Sequence, residues 1–112
     1  MGSGYSKTLK NTRFIYYKRF KALMKRVKIT VFGKVQGVFF RANTAKLAIE
    51  LEIVGFVKNQ DNESVLIVAQ GDDDSIKSLI AFCRRGSLAA KVDSIKITDE
   101  KVGDEFEGFN IL

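Results

Sequence analysis

Residues that could bind an oxyanion are concentrated in one short stretch of this 112-residue chain, residues 33–41. Gly33 and Gly37 lie between an apolar, β-branched run and a segment with helical spacing, so the backbone can turn sharply and aim its N–H groups at one place. The helix that follows adds unpaired N–H groups and the positive end of its dipole. Arg41 stands at the start of that helix, and its planar guanidinium matches phosphate oxygens. The stretch predicts an oxyanion cradle, but spacing alone leaves open whether the anion is a substrate.

The elements that would hold this stretch can be predicted from periodicity. Residues 27–32 alternate as a β-strand does, and Ala42 to Leu51 carries an apolar i, i+3, i+4, i+7 stripe typical of a helix packed on a core. Strands are predicted over 53–58 and 64–70. The short polar turn between them makes the pair an antiparallel hairpin.

A second helix is predicted to begin at the acidic run 72–74. Carboxylates there are ordinary partners of a helix N-terminus, which disfavours a cation site. Two further strands are predicted over 92–98 and 106–111. The resulting order predicts an α+β fold, the ferredoxin-like βαββαβ sandwich, in which an antiparallel sheet has two helices on one face.

Composition excludes several classes of chemistry. The chain has no histidine and one cysteine, Cys83, so it can form neither a transition-metal centre of the usual kind nor a Ser-His or Cys-His pair. A lone cysteine also precludes an intrachain disulfide, which favours the cytoplasm. Cys83 falls on the apolar stripe of the second helix and is interpreted as a core residue. No apolar run is long enough to span a bilayer.

The formal charge of +6 is unevenly distributed along the chain. Residues 1–26 hold eight of the basic side chains and no acidic one, whereas residues 27–112 hold eleven basic and thirteen acidic ones. We interpret 1–25 as a basic N-terminal extension, tag-derived or disordered, and 26–112 as the folded domain. A membrane-surface, nucleic-acid-binding or targeting role for the extension remains the alternative.

The residue string 33–41, GKVQGVFFR, resembles the first signature of the acylphosphatase family at every fixed position. A second signature is matched by 55–59, GFVKN, followed by Val65 and Gly71, and the resemblance covers residues 27–112. It implies a metal-independent acylphosphatase, a hydrolase that converts an acyl phosphate into carboxylate and inorganic phosphate. It also implies catalytic roles for Arg41 and Asn59, and a phosphate-binding loop made of Val35, Gln36, Gly37, Val38, Phe39, Phe40 and Arg41.

This implied reaction suits the residues that are present. Phosphoryl transfer from a good leaving group requires mainly positioning and charge stabilisation, which loop amides and Arg41 can supply. The amide of Asn59 can orient the attacking water by accepting a hydrogen bond from it. We therefore predict no cofactor and no metal, a small-molecule acyl phosphate as partner, a cytoplasmic monomer, and no nucleic-acid or membrane partner.

Two departures from the family pattern concern backbone conformation. Glu52 stands where a glycine usually ends the first helix, and Glu63 where a glycine usually closes the hairpin turn. If the family backbone is kept, both residues are strained, because a Cβ disfavours positive φ. The alternative is a turn that has moved onto 61–62, since asparagine tolerates the left-handed region.

Three other functions remain as alternatives. The first is a catalytically weak module that binds phosphate or an acyl phosphate on the same fold. The second is an RNA-recognition motif, which requires exposed aromatic residues on the third strand, where residues 65–69 have none. The third is a domain that acts within a larger maturation enzyme.

Overall fold

The computed structural model describes residues 23–112, so nearly all of the extension predicted for 1–25 lies outside the described residues. The described chain confirms the predicted order of strands and helices. Its elements are β1 (Met24–Lys34), α1 (Phe40–Glu50), β2 (Val54–Asn59), β3 (Val65–Asp72), α2 (Asp73–Arg85), β4 (Lys91–Glu100) and β5 (Phe109–Ile111).

The strands form one sheet in the order β4-β1-β3-β2-β5. The first four pair antiparallel, as predicted, and β5 pairs parallel with β2, which makes the sheet mixed. This difference arises because β4 and β5 occupy opposite edges, so the segment between them crosses the sheet before β5 pairs. β1 also begins three residues earlier than predicted, with Met24 opposite Asp72.

One face of the sheet carries both helices, as predicted. Alternate residues of β1 and β3 point to this face and pack with the buried side chains of α1 and α2 in a single core. The helical stripes predicted from spacing supply that packing. Thr44 and Ala48 of the predicted α1 stripe are buried, whereas Leu47 and Leu51 are only partly buried. The full set of buried side chains is Phe40, Thr44, Ala45 and Ala48 on α1, and Ile76, Leu79 and Cys83 on α2.

A buried arginine fastens the segment that crosses the sheet. Arg26 is 7% exposed, its Nε donates to Gln70 Oε1 at 2.9 Å, and its guanidinium also donates to Glu105 and lies 4.5 Å from the centre of the Phe106 ring. The hydrogen bond from Arg26 holds the pKa of the Glu105 carboxyl below its usual value. Gln70 completes the cluster by accepting from the Gly103 N–H at 3.1 Å and donating to its carbonyl at 2.9 Å. These contacts stabilise the segment that connects β4 to β5 at the opposite edge of the sheet.

The C-terminus of α1 has the hydrogen bonds of a Schellman motif. The N–H of Ile53 donates to the carbonyl of Ala48 at 2.8 Å, and that of Glu52 to Ile49 at 3.1 Å. Glu52 lies at φ 57°, in the left-handed region where glycine is usual. The family backbone is therefore kept here despite the side chain.

The hairpin turn between β2 and β3 is also retained. The Glu63 N–H donates to the Gln60 carbonyl at 3.1 Å, and the Gln60 N–H to the Ser64 carbonyl at 2.9 Å. Glu63 lies at φ 69°, whereas 61 and 62 keep negative φ, so the turn has not moved. Both glutamates occupy conformations that a Cβ disfavours.

Replacing either glutamate by glycine is expected to raise the free energy of unfolding. Removing a Cβ from the left-handed region stabilises the folded protein by roughly 1–2 kcal/mol. The added freedom of glycine in the unfolded chain destabilises the folded protein by about 0.4–1 kcal/mol. Glu52→Gly and Glu63→Gly should therefore each raise the free energy of unfolding by up to about 1.6 kcal/mol, measured from denaturant midpoints at constant slope. Lys46→Gly, at an exposed position within α1, is the control and should lose about 1 kcal/mol. Destabilisation by both glutamate variants would contradict the strain.

Candidate active site

The two glycines named from the sequence lie near the end of β1 and in the loop before α1. Gly33 lies at φ 133°, and a Cβ there would meet the carbonyl oxygen of Lys91 at 2.2 Å, so only glycine fits beside β4. The β1–β4 register shifts at this point. Gly37 lies at φ 72° in open space, so glycine is favoured there by conformation rather than by room. The loop thus leaves the sheet abruptly and turns back into α1.

The N-terminus of α1 is left open, in contrast to that of α2. Phe39 precedes α1 in a left-handed conformation (φ 62°, ψ 16°), no side chain caps the helix, and its first turn has no acidic residue. At α2, Asp72 accepts from the Ser75 N–H at 2.8 Å, and two further aspartates occupy the first turn. Of the two helices, α1 is therefore the one whose N-terminus, the positive end of its dipole, has no carboxylate in its first turn.

Arg41 lies in the first turn of α1, beside a pocket of about 300 Å³. Its Nη1 donates to the main-chain oxygen of Leu112 at 3.0 Å, which fixes one side of the guanidinium and leaves its other donors available. The pocket is lined by Val35, Gly37, Phe39, Phe40, Arg41, Ala42 and Ile111. Five of the seven residues predicted for the phosphate-binding loop therefore line one concavity.

Within this loop the side chains have different surroundings. Val35 and Phe40 are buried, and the Phe40 ring stacks on Phe82 at 5.6 Å between ring centres, so both side chains belong to the core. Val38 is half-buried against the same core. What these residues can offer an anion is their main-chain N–H groups, whereas Phe39 is largely exposed.

Gln36 ties the loop to the β2–β3 hairpin, a contact that the sequence did not predict. Its Nε2 donates to the carbonyls of Gln60 at 2.8 Å and Ser64 at 2.9 Å. These are the residues next to Asn59 and Val65, the last pair of the hairpin ladder. The side chain of Gln36 is therefore engaged with the hairpin, and only its main chain is free to contribute to the loop.

Asn59 is the last residue of β2 and lies at the same end of the strands as the loop. β1, β2 and β5 run parallel to one another, so their C-terminal ends lie on the same side of the molecule. This arrangement brings the loop, Asn59 and Ile111 to that side. The Oδ1 atom of Asn59 is buried and has no hydrogen-bond partner among the described residues. Asn59 does not line the 300 Å³ pocket around Arg41. The two predicted catalytic residues therefore lie at the same end of the strands but do not line the same pocket.

Other reactive groups are scarce in the part of the chain that the structure describes. Burial raises the pKa of the Cys83 thiol to about 12, which suits a core residue and not a nucleophile. Residues 23–112 hold no group of three acidic or cysteine side chains close enough to form a metal site. Neither described helix is long and apolar enough to cross a membrane.

The protein is a ferredoxin-like α+β sandwich in which the first helix begins without a side-chain cap and carries Arg41 in its first turn. The family model for acylphosphatases matches residues 27–111, and the chain belongs to the acylphosphatase family. The resemblance predicted from the two signatures is confirmed, and with it the class of enzyme, a hydrolase of acyl phosphates.

Individual relatives agree with this assignment. An acylphosphatase of Methylococcus capsulatus is 43% identical over 89 residues, which are 80% of this chain and 97% of that protein. The structure of an acylphosphatase from Coxiella burnetii superposes with a TM-score of 0.78 at 36% identity, covering 82% of this chain and 96% of that one. Full-length HypF, in a phosphate- and nucleotide-bound form, matches at a TM-score of 0.68 and 25% identity, over 80% of this chain but 12% of HypF.

Proposed function

We propose that the pocket at the end of β1 holds the phosphate of a small acyl phosphate, with the main-chain N–H groups of residues 35–41 and the guanidinium of Arg41 around its oxygens. The observation that carries this proposal is the open N-terminus of α1 beside Arg41. Unpaired helical N–H groups, a helix dipole and a guanidinium all favour negative charge at the same place.

The reaction then proceeds by displacement at phosphorus. The oxygen of a water molecule attacks phosphorus, and the bond from phosphorus to the acyl oxygen breaks, with its electron pair leaving on the carboxylate. One proton of the water passes to a phosphate oxygen and the other stays on the attacking oxygen, so the products are the carboxylate and inorganic phosphate. Charge on the equatorial oxygens is stabilised by the loop amides and by Arg41, which are held in place before the reaction begins.

Asn59 is proposed to orient the attacking water. A buried amide oxygen without a protein partner, such as its Oδ1, favours a donor such as water. The hydrogen bonds from Gln36 to Gln60 and Ser64 hold the loop against the hairpin, which fixes Asn59 relative to the loop. In this role Asn59 acts on the nucleophile, whereas the loop and Arg41 act on the phosphate.

A steady-state assay of benzoyl phosphate hydrolysis, followed by release of inorganic phosphate, tests the function directly. The second candidate, a catalytically weak module on the same fold, is distinguished in the same experiment. Binding of phosphate without turnover above the buffer rate would favour the module.

Hydrolysis is expected to persist in EDTA and after treatment with thiol-blocking reagents, and inorganic phosphate should inhibit it competitively. The physical reasons are a phosphate site built from amides and Arg41, and a single cysteine whose thiol is buried with a pKa near 12. Initial rates with and without each reagent provide the measurement. Loss of activity in EDTA that returns on adding a divalent metal would contradict this prediction.

We also infer that the enzyme is a cytoplasmic monomer with no nucleic-acid partner and that its domain spans about residues 26–112. Five of the ten residues of the edge strand β4 are charged, and the opposite edge strand has only three residues. Such edges resist pairing with a second copy. The free, buried Cys83 suits a reducing compartment. Sedimentation of the purified protein tests the monomer.

A further inference from the structure

Exposed apolar side chains gather around the Arg41 pocket. Phe39 is 79% exposed and Ile111 is 49% exposed, and both line the pocket. Leu112 is 62% exposed, and its main-chain oxygen accepts the hydrogen bond from Arg41. Single exposed apolar residues are ordinary on a protein surface, but several beside one concavity indicate a binding surface.

Phe39 occupies this place at a cost in backbone energy. Its φ of 62° lies in the left-handed region, which is unusual for a bulky side chain. Its ring is mostly exposed, so packing within the described core does not account for it. Strain kept at a functional site, on a side chain that contributes little to the fold, points to a role toward the ligand.

The geometry of an acyl phosphate places its acyl group beside Phe39 and Ile111, which form the rim of the pocket. If the phosphate occupies the loop and Arg41, the carbonyl carbon and its substituent must extend away from the phosphorus and towards the mouth of the pocket. That mouth is flanked by Phe39 from the loop and by Ile111 from the end of β5. An apolar substituent leaving water there would gain contact with both side chains.

We infer that Phe39 and Ile111 form a binding surface for the apolar part of the acyl group, so that the enzyme prefers acyl phosphates with longer aliphatic or aromatic acyl groups over acetyl phosphate. This inference rests on the proposed phosphate position. The preference is a matter of binding rather than of chemistry, because the contacts are remote from the reacting phosphorus and are made equally before and during the reaction. It should therefore appear in KM more than in kcat.

The test uses the unmutated enzyme with acetyl, butyryl and hexanoyl phosphate, whose carboxylate leaving groups have similar basicity. Each added methylene should lower KM about twofold, because the rim buries the chain only in part, and the four methylenes between acetyl and hexanoyl phosphate should lower it about sixteenfold. A KM that stays constant across the series would overturn the inference. Failure to hydrolyse any of the three would instead overturn the proposed function, so the two outcomes are distinct.

Variants locate the preference on the rim. Ile111→Ala should reduce the acetyl-to-hexanoyl KM ratio about threefold, and Phe39→Asn should do the same while keeping a residue that tolerates positive φ. Ile49→Ala is the matched control, since Ile49 is exposed on α1 away from the pocket lining, and it should keep the unmutated ratio. A ratio that persists in both rim variants, or an Ile111→Ala variant that loses affinity for inorganic phosphate in parallel, would overturn the assignment.

Discussion

Replacing Arg41 by lysine is expected to lower kcat/KM about a hundred- to a thousandfold, although the positive charge is kept. The guanidinium donates from its Nη1 to the main-chain oxygen of Leu112 at 3.0 Å, and Arg41 lines the pocket. An ammonium group has a single nitrogen on a flexible stem, so it cannot keep this contact and also offer two prongs to phosphate. The proposed cradle therefore depends on shape as well as charge.

The measurement is kcat and KM for an acyl phosphate, together with the inhibition constant of inorganic phosphate. Both kcat/KM and phosphate affinity should fall, because the guanidinium is proposed to contact the anion before and during the reaction. Arg84→Lys is the matched control, since Arg84 is exposed in the last turn of α2 and should retain normal kinetics. A folded Arg41→Lys enzyme with near-normal turnover and phosphate affinity would place the cradle elsewhere.

Asn59→Ala is expected to lower kcat about a hundredfold while inorganic phosphate still binds nearly as well. The buried Oδ1 of Asn59 is proposed to position the attacking water, and loss of that positioning costs about this much in rate. In the proposed site the phosphate is held by other groups, the loop amides and Arg41, so its affinity is not expected to change. This separation of turnover from anion binding distinguishes the roles of the two residues.

Turnover and phosphate inhibition are measured on the same preparation, with thermal unfolding as a check on the fold. Asn110→Ala supplies the matched control, because Asn110 is exposed on β5, and it should leave both quantities unchanged. Equal losses of turnover and phosphate affinity in Asn59→Ala would show instead that Asn59 supports the hairpin or the loop.

Local signals in the sequence were sufficient for the order of elements and for the path of the loop. Alternation predicted β1, helical spacing predicted that α1 and α2 pack on the core, and the acidic run at 72–74 predicted a capped helix start. Positive φ at both Glu52 and Glu63 was one of the two alternatives that the sequence left open, and the backbone has it at both positions. These features depend on residues within a few positions of one another, so a short window of sequence contains their physical cause.

The surroundings of the loop were decided by contacts between residues far apart in the chain. Gln36 and Gln60 are 24 positions apart, Arg41 and Leu112 are 71 apart, and Arg26 and Glu105 are 79 apart. Each contact exists only because strands meet in the order β4-β1-β3-β2-β5, with β5 carried across the sheet and set parallel to β2. Periodicity does not encode which edge a three-residue strand will join, since that choice is made by packing of the whole core. The sequence by itself therefore determined the fold class and the position of the glycine-containing loop between β1 and α1, whereas the tertiary structure decided what surrounds Arg41 and which apolar residues line its pocket.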